Sequence, residues 1–450
     1  MVTEAGFAPY EYYDNGNIVG VDIDIAREIA KSLDMELEIK DVYFDSIINE
    51  VKTGKSDFGV AGISYTEERA KEVDFSTNYM EARQVIIVKN DSFINSPTDL
   101  SYERIAVQLG SVADSYISEN LPNISLVREK KFLAAIQDLK DNKVDCVVMD
   151  EIPANELLED GMRIIEEPLI IDYYGIIVSK DNKKLLNQIN EVITNLKETG
   201  KIDEYMLVHT GLKEKKTEKE FSSEIVKKFY YSVIYDSRYK FILEGFKNTL
   251  LIAIGAVILG IIIGITIALI RNIYDTNCKL KILNYLAKTY VNIIRGTPST
   301  LQLMIIYYVI FKSSNVNIVL VGIIAFGINS GAYVAEIIRA GINSVPKGQK
   351  EAGYALGLHY YDVMKSIVIP SAIRNILPAL GNEFITLIKE TSIGAYIGIV
   401  ELTKASDIIA SRTYDYFFPL IIVALIYLAI TFILTKVFDR IERKMNHARS

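Results

Sequence analysis

Three stretches of this 450-residue chain contain no charged side chain: residues 250–270, 313–335 and 416–435. Crossing the apolar part of a bilayer takes roughly 20 helical residues, each advancing about 1.5 Å. Backbone amides in hydrocarbon must be satisfied inside the segment, so runs of this length read as spanning helices. A shorter run, 296–311, lies between Arg295 and Lys312. A further candidate, 384–400, is interrupted by Lys389 and Glu390. Charges there are costly in lipid, so they are expected to face a protein partner or a watery cavity. Five spanning helices are expected, all after Phe246. The average composition, 50% apolar and 24% charged, hides this division, because residues 1–245 carry charge throughout.

Short loops rich in Lys and Arg stay cytoplasmic. Arg271, Lys279, Lys281, Lys288 and Arg295 follow the first span, and Arg339, Lys347, Lys350, Lys365 and Arg374 follow the third. The tail carries Lys436, Arg440, Arg443, Lys444 and Arg449. With five spans all three groups fall on one side, placing the C-terminus inside and residues 1–245 outside. Export of that first half calls for a leader, yet Glu4, Glu11, Asp14, Asp22 and Asp24 leave no signal-peptide pattern. The natural product is therefore expected to start upstream; DNA with no in-frame start there would sink that expectation.

A net charge of -8 without a basic face argues against nucleic acid. Cys146 and Cys278, one in each half, cannot build a disulfide framework or a thiolate metal site, and His209, His359 and His447 are scattered. Both cysteines read as small buried apolar residues. Gly54-Lys55-Ser56 ends like a phosphate loop, but Asn49 stands where the first glycine belongs, so it reads as a turn. No cofactor or metal is expected in this chain, and no ATPase.

The first half alternates short β-branched runs with helical patterns. Residues 85–88, 105–107, 146–149 and 175–178 read as buried strands, and 23–33, 46–52, 111–119, 132–142 and 185–198 as helices. That alternation indicates an α/β fold. Residues 213–224 are charged and free of large aliphatics, a tether; 225–246 then read as an interfacial elbow helix.

Glu351-Ala352-Gly353, with Gly357 four residues on and Ile367-Val368-Ile369-Pro370 beyond, resembles the cytoplasmic "EAA" loop of binding-protein-dependent ABC importers. Gly353 replaces the family's second alanine and Ile369 its leucine. Such a segment reads as two short helices broken at Gly357 and stopped by Pro370. Arg295-Gly296-Thr297-Pro298, Gly331-Ala332-Tyr333 with Glu336 and Arg339, Val345-Pro346-Lys347-Gly348-Gln349 and Lys389-Glu390-Thr391-Ser392 resemble polar amino-acid permeases of the histidine and glutamine type. In front of them, Gly20-Val21-Asp22-Ile23-Asp24-Ile25-Ala26, Ala61-Gly62-Ile63-Ser64 with Thr66 and Glu68-Arg69, Gln108-Leu109-Gly110-Ser111 and the run ending in Asp150 resemble extracellular solute-binding proteins for polar amino acids.

These resemblances imply a two-lobed α/β periplasmic-binding-protein-like domain followed by an all-α transmembrane domain of about five helices. The expected divisions are 1–212 for the amino-acid-binding domain, with its second lobe at about 92–170, 213–245 for linker and elbow, and 246–445 for the permease, with its coupling loop at 351–370. The implied partners are an amino acid, the membrane, a second copy or a related permease, and a separate ABC ATPase dimer that binds ATP and Mg²⁺. A zwitterionic ligand needs a cation and an anion a few ångströms apart, and a guanidinium holds a carboxylate with two parallel hydrogen bonds. By the resemblance Arg69 takes the carboxylate with Ser64, the Gly62 backbone and the helix start at Ser111, while Asp150 takes the ammonium. Phe7 and Phe44 would sandwich the side chain, with Glu4 and Gln108 at its polar end; an acid there suits either a basic or a carboxamide ligand. Glu351, Ala352, Gly353, Gly357 and Pro370 would form the ATPase-coupling knob. Three other classes weigh less. A ligand-gated channel would interrupt the lobes with its pore, a sensor would need an output beyond the last helix, and a dehydratase would need a placed general base.

Overall fold

The computed structural model describes residues 1–14, 16–101, 103–121, 123–210, 223–312, 316–413 and 415–447. Most of the expected tether therefore lies outside the described residues. The chain divides into two units, one built mainly from Met1–Ile242 and the other mainly from Leu243–Gly394 and the chain after Ile421.

Among the described residues the first unit contains two large sheets, one per lobe, and a two-stranded ribbon of Tyr12–Asp14 with Asn17–Val19. In the first, the strands run in the order Lys40–Asp41, Val2–Thr3, Phe58–Gly59, Ile177–Val178 and Asp74–Phe75. Val2–Thr3 pairs parallel to both of its neighbours, as strands joined by crossover helices must. Helix Val21–Ser32 covers this lobe: Asp22 and Asp24 sit in its first turn and Lys31 in its last, matching the helix dipole, while Ile25, Ile29 and Ala30 lie on its buried side. Helix Lys183–Glu198 buries Ile189, Ile193 and Leu196, the spacing of one helical face.

The second sheet is centred on Cys146–Asp150, whose five residues are all buried. It lies antiparallel to Met80–Lys89 and parallel to Arg104–Gln108. A strand covered on both faces reads as a continuous apolar run, which is why 146–149 was legible. Met80–Lys89 also pairs with Met162–Ile164 and with Ile170–Tyr174. The second lobe is thus wider than 92–170, because long strands at both of its borders belong to its sheet.

In the second unit four helices are long and apolar enough to cross a membrane, within Tyr239–Asn277, Ile318–Asn343, Tyr360–Ile397 and Phe417–Met445, with a shorter apolar helix at Ser299–Ile310. The elbow is shorter than expected: helix Glu224–Phe229 passes into a π-helix at Tyr230–Ile234 and a short 3-10 turn at Tyr235–Ser237, and residues from Tyr239 already belong to the first long helix. The segment sought at 384–400 is also displaced. Its helix, Ile369–Glu390, ends with the charged pair Lys389-Glu390, and a 3-10 helix at Thr391–Ile397 follows. Close helix approach replaces hydrophobic driving force in lipid. A β-carbon on Gly264 would lie 2.5 Å from Val334 Cγ1, so only glycine lets these helices pack. Ile258, Ile262, Leu425, Leu428 and Phe432 remain exposed, as lipid-facing residues would. Cys146 is buried, but Cys278 is exposed: it sits in the turn after Tyr239–Asn277 with φ 53, a correction to the expected burial of both thiols.

Candidate functional site

A cavity in the first unit is lined by Glu4, Phe7, Phe44, Gly62, Ser64, Gln108, Ser111 and Asp150. It is a narrow cleft, its space of about 350 Å³ including the open mouth. Both lobes supply wall residues, each from the end of a strand or the start of a helix, where backbone and side chains are not consumed by the sheet.

Asp150 closes strand Cys146–Asp150 and caps the following helix, accepting from Ile152 N–H at 3.0 Å through Oδ1. Its Oδ2 accepts from Tyr174 Oη at 2.6 Å. Burial pushes this carboxyl up to about 7, despite those two donors. Ser111 accepts from Asp114 N–H at 3.2 Å as the cap of helix Val112–Asn120, so the first amides of that helix open beside the cavity. At the opposite side Glu4 lies 2.6 Å from Lys131 Nζ and accepts from Gln108 Nε2 at 3.2 Å.

Two expectations change. Arg69 stands one residue back from the wall. Its guanidinium donates to the carbonyls of Ser64 and Gly110, each at 2.7 Å, and lies 5.5 Å over the Phe44 ring. Burial lowers it to about 10, so it remains a cation at neutral pH. The Gly62 amide donates to Asp22 Oδ2 at 2.9 Å, and that commitment removes it from the set expected to meet a ligand carboxylate. Phe7 stacks on Phe132 at 5.5 Å, so the aromatic wall of the cavity includes Phe132 beside Phe7.

Sequence reasoning missed Glu11, Gln84, Phe132 and Tyr174, which also line the cavity. Glu11 is 1% exposed, and burial with the neighbouring Asp22 raises its pKa well above the ordinary range. Asp22 is itself raised to about 6 by burial, although Gly62 and Tyr79 donate to it. The aromatic cluster in Tyr10-Glu11-Tyr12-Tyr13 was the signal available for Glu11.

In the second unit, helix Lys347–Ala355 ends in a Schellman turn: Gly357 N–H donates to Tyr354 O at 3.0 Å and Leu358 N–H to Gly353 O at 3.2 Å. Gly357 has φ +78, which favours glycine. Glu351 and Ala352 are exposed, as are Tyr354, Leu356 and Leu358, an apolar tip on a polar stem. Gly353 is buried because Val363 and Ile367 pack on it. Pro370 does not stop the second helix as expected. Tyr360–Val363 continues through a wide turn at Met364–Val368 into Ile369–Glu390, where Pro370 occupies the first turn. A proline lacks an N–H, and the first turn is where none is needed.

Residues 1–209 match the model of the bacterial extracellular solute-binding proteins, family 3, and residues 256–447 that of the binding-protein-dependent transport system inner membrane component. A protein of Rickettsia typhi named as a glutamine transport system permease is 42% identical over 220 residues, covering 48% of this chain and 96% of the relative. The arginine transport system permease protein of Bacillus subtilis is 41% identical, over 46% of this chain and 92% of its own. Among solved structures, an ancestral arginine-binding protein bound to glutamine is 38% identical, covering 47% of this chain and 96% of its own with a TM-score of 0.44. The substrate-binding protein of an amino acid ABC transporter is 37% identical with a TM-score of 0.43, over 45% and 95%. The chain belongs to the binding-protein-dependent membrane permeases. More narrowly, it is an amino-acid ABC transporter permease fused in one chain to a solute-binding domain, a transport component rather than an enzyme.

Proposed function

We propose that this chain is the receptor and permease subunit of an ATP-driven importer for a polar amino acid, glutamine-like or basic. The receptor domain is outside and the C-terminus in the cytoplasm, as the Lys- and Arg-rich loops favour. The observation that carries this reading is the convergence of Asp150, Ser64, Ser111, Phe7 and Glu4 from two lobes onto one cavity. Asp150 receives the ligand α-ammonium. Arg69, with two of its five donors on carbonyls, turns the others to the carboxylate beside Ser64 and the helix start at Ser111. Each lobe holds part of the ligand, so binding favours the closed pair of lobes.

The 351–370 loop docks into a separate ABC ATPase dimer, which holds ATP and Mg²⁺, and transmits its closure; the exposed apolar tip at Leu356 and Leu358 fits a groove on such a partner. Two copies, or one copy with a related permease, enclose the path. Calorimetry of the full chain in lipid nanodiscs against the common L-amino acids tests the reading. Micromolar or tighter binding of one polar amino acid supports it; a folded chain that binds none sinks it.

A further inference from the structure

Lys131 caps helix Phe132–Lys140 on the second lobe and is 6% exposed. Its Nζ reaches across to the first lobe, 2.6 Å from Glu4 Oε1, and donates to Ala5 O at 3.0 Å. The second Glu4 oxygen accepts from Gln108 Nε2. A lysine this deep stays charged only beside an anion. Burial works against its charge, yet Glu4, joined by Asp41 and Asp407, raises its pKa above the ordinary lysine value. Those other two acids have donors of their own. Asp41 accepts from Ala5 N–H and Tyr13 Oη, both at 3.0 Å, and Asp407 from Tyr43 Oη at 2.9 Å. Glu4 and Gln108 line the cavity while Lys131 stands behind Glu4, so the wall there presents an acid whose charge a buried lysine already balances.

The wall at that end is dipolar, not anionic. A carboxamide suits such a wall, because its N–H₂ donates to Glu4 without adding charge, while Gln108 Nε2 is already committed to Glu4 and to Lys130 O. A guanidinium or ammonium could also donate to Glu4, but it would add a second positive charge beside Lys131 against a single carboxylate. A side-chain carboxylate would meet Glu4. Lys131 balances Glu4, while Arg69 and Asp150 are left to answer the ligand's own α-carboxylate and α-ammonium. We propose that Lys131 is a specificity-determining residue that cancels the charge of Glu4 and thereby selects a carboxamide amino acid, such as glutamine or asparagine, over basic ones. This rests on the importer reading and narrows its ligand.

The test uses the full chain in lipid nanodiscs, titrated with L-glutamine, L-asparagine, L-arginine and L-lysine, as wild type and as Lys131→Met and Lys131→Arg. Wild type should bind one of the amides at least about 100-fold tighter than arginine or lysine. Lys131→Met should weaken the amide about tenfold or more while strengthening a basic ligand by a similar factor, and Lys131→Arg should keep the amide preference. A variant that merely folds badly cannot move two ligands in opposite directions. A wild type that prefers arginine or lysine overturns the assignment and leaves the importer standing, as does a Lys131→Met that weakens every ligand alike. A wild type that binds no amino acid overturns the importer reading and this one with it.

Discussion

Asp150 carries the sharpest consequence at the scale of single residues. Burial raises its carboxyl to about 7, with Asp172 and Glu151 pushing the same way against the hydrogen bonds from Tyr174 and Ile152. An α-ammonium needs the ionised form, so a proton must leave wherever Asp150 holds one. Affinity should be flat above about pH 7 and fall about tenfold per unit below it, until the lower pKa of the complex is reached. Calorimetry across that range checks this, and a flat profile would discard Asp150 as the ammonium partner. Arg69→Ala should remove binding, and Arg69→Lys should weaken it at least about tenfold, because an ammonium cannot serve two carbonyls and a carboxylate as a planar fork can. Unchanged affinity in either variant would remove Arg69 from the carboxylate site. The residues that meet in this cavity were reached through the resemblance to amino-acid-binding proteins, since taken singly each has an ordinary structural reading. Phe7, Gly62, Ser64, Ser111 and Asp150 each lie at a turn or strand end. What was illegible is pairing at a distance: nothing in the spacing shows that Asp22 takes the Gly62 amide, that Tyr174 reaches Asp150, or that Lys131 meets Glu4.

Among the elements, those whose limits are set by local chemistry were read closely, and those set by continuity were not. Helices Val21–Ser32 and Lys183–Glu198 carry their caps, charges and apolar stripe in sequence. The Pro370 segment failed because a proline is read as a stop, whereas here a π-turn at Met364–Val368 joins two helices and places the proline in a first turn. The fourth span was misplaced for the same reason, since its apolar character is spread over Tyr360–Ile397 and interrupted by charge. Gly357 is the position where coupling can be separated from binding. A β-carbon there meets nothing within 4 Å, so Gly357→Asp introduces no clash. It does force a side chain into φ +78 and unsettles the Schellman turn, at a cost of about 1 kcal/mol to the helix end. That is too little to unfold the unit and enough to loosen the apolar tip. Gly357→Asp should bind its amino acid with wild-type affinity and lose uptake into proteoliposomes containing the ATPase. Normal uptake by this variant would refute the coupling role.

For the whole molecule, the consequence of fusion is kinetic. A free receptor must find its permease by collision, whereas one joined by a short flexible segment is held at about millimolar effective concentration. Residues 213–224, Lys-Glu-Lys-Lys-Thr-Glu-Lys-Glu-Phe-Ser-Ser-Glu, have the composition of such a tether. The connection supplies proximity without any new contact, so it can be broken without touching either folded unit. A protease site placed within 213–222 provides the cut. Before cleavage, proteoliposomes holding the chain and its ATPase should take up the amino acid with no free receptor added, at a rate per transporter that does not depend on transporter concentration. After cleavage, at submicromolar protein, the released domain is diluted far below the millimolar range, and uptake should fall by at least about tenfold while binding to that domain persists. Uptake unchanged by the cut would mean that the receptor stays docked without its tether, and the advantage of fusion would then have to lie elsewhere.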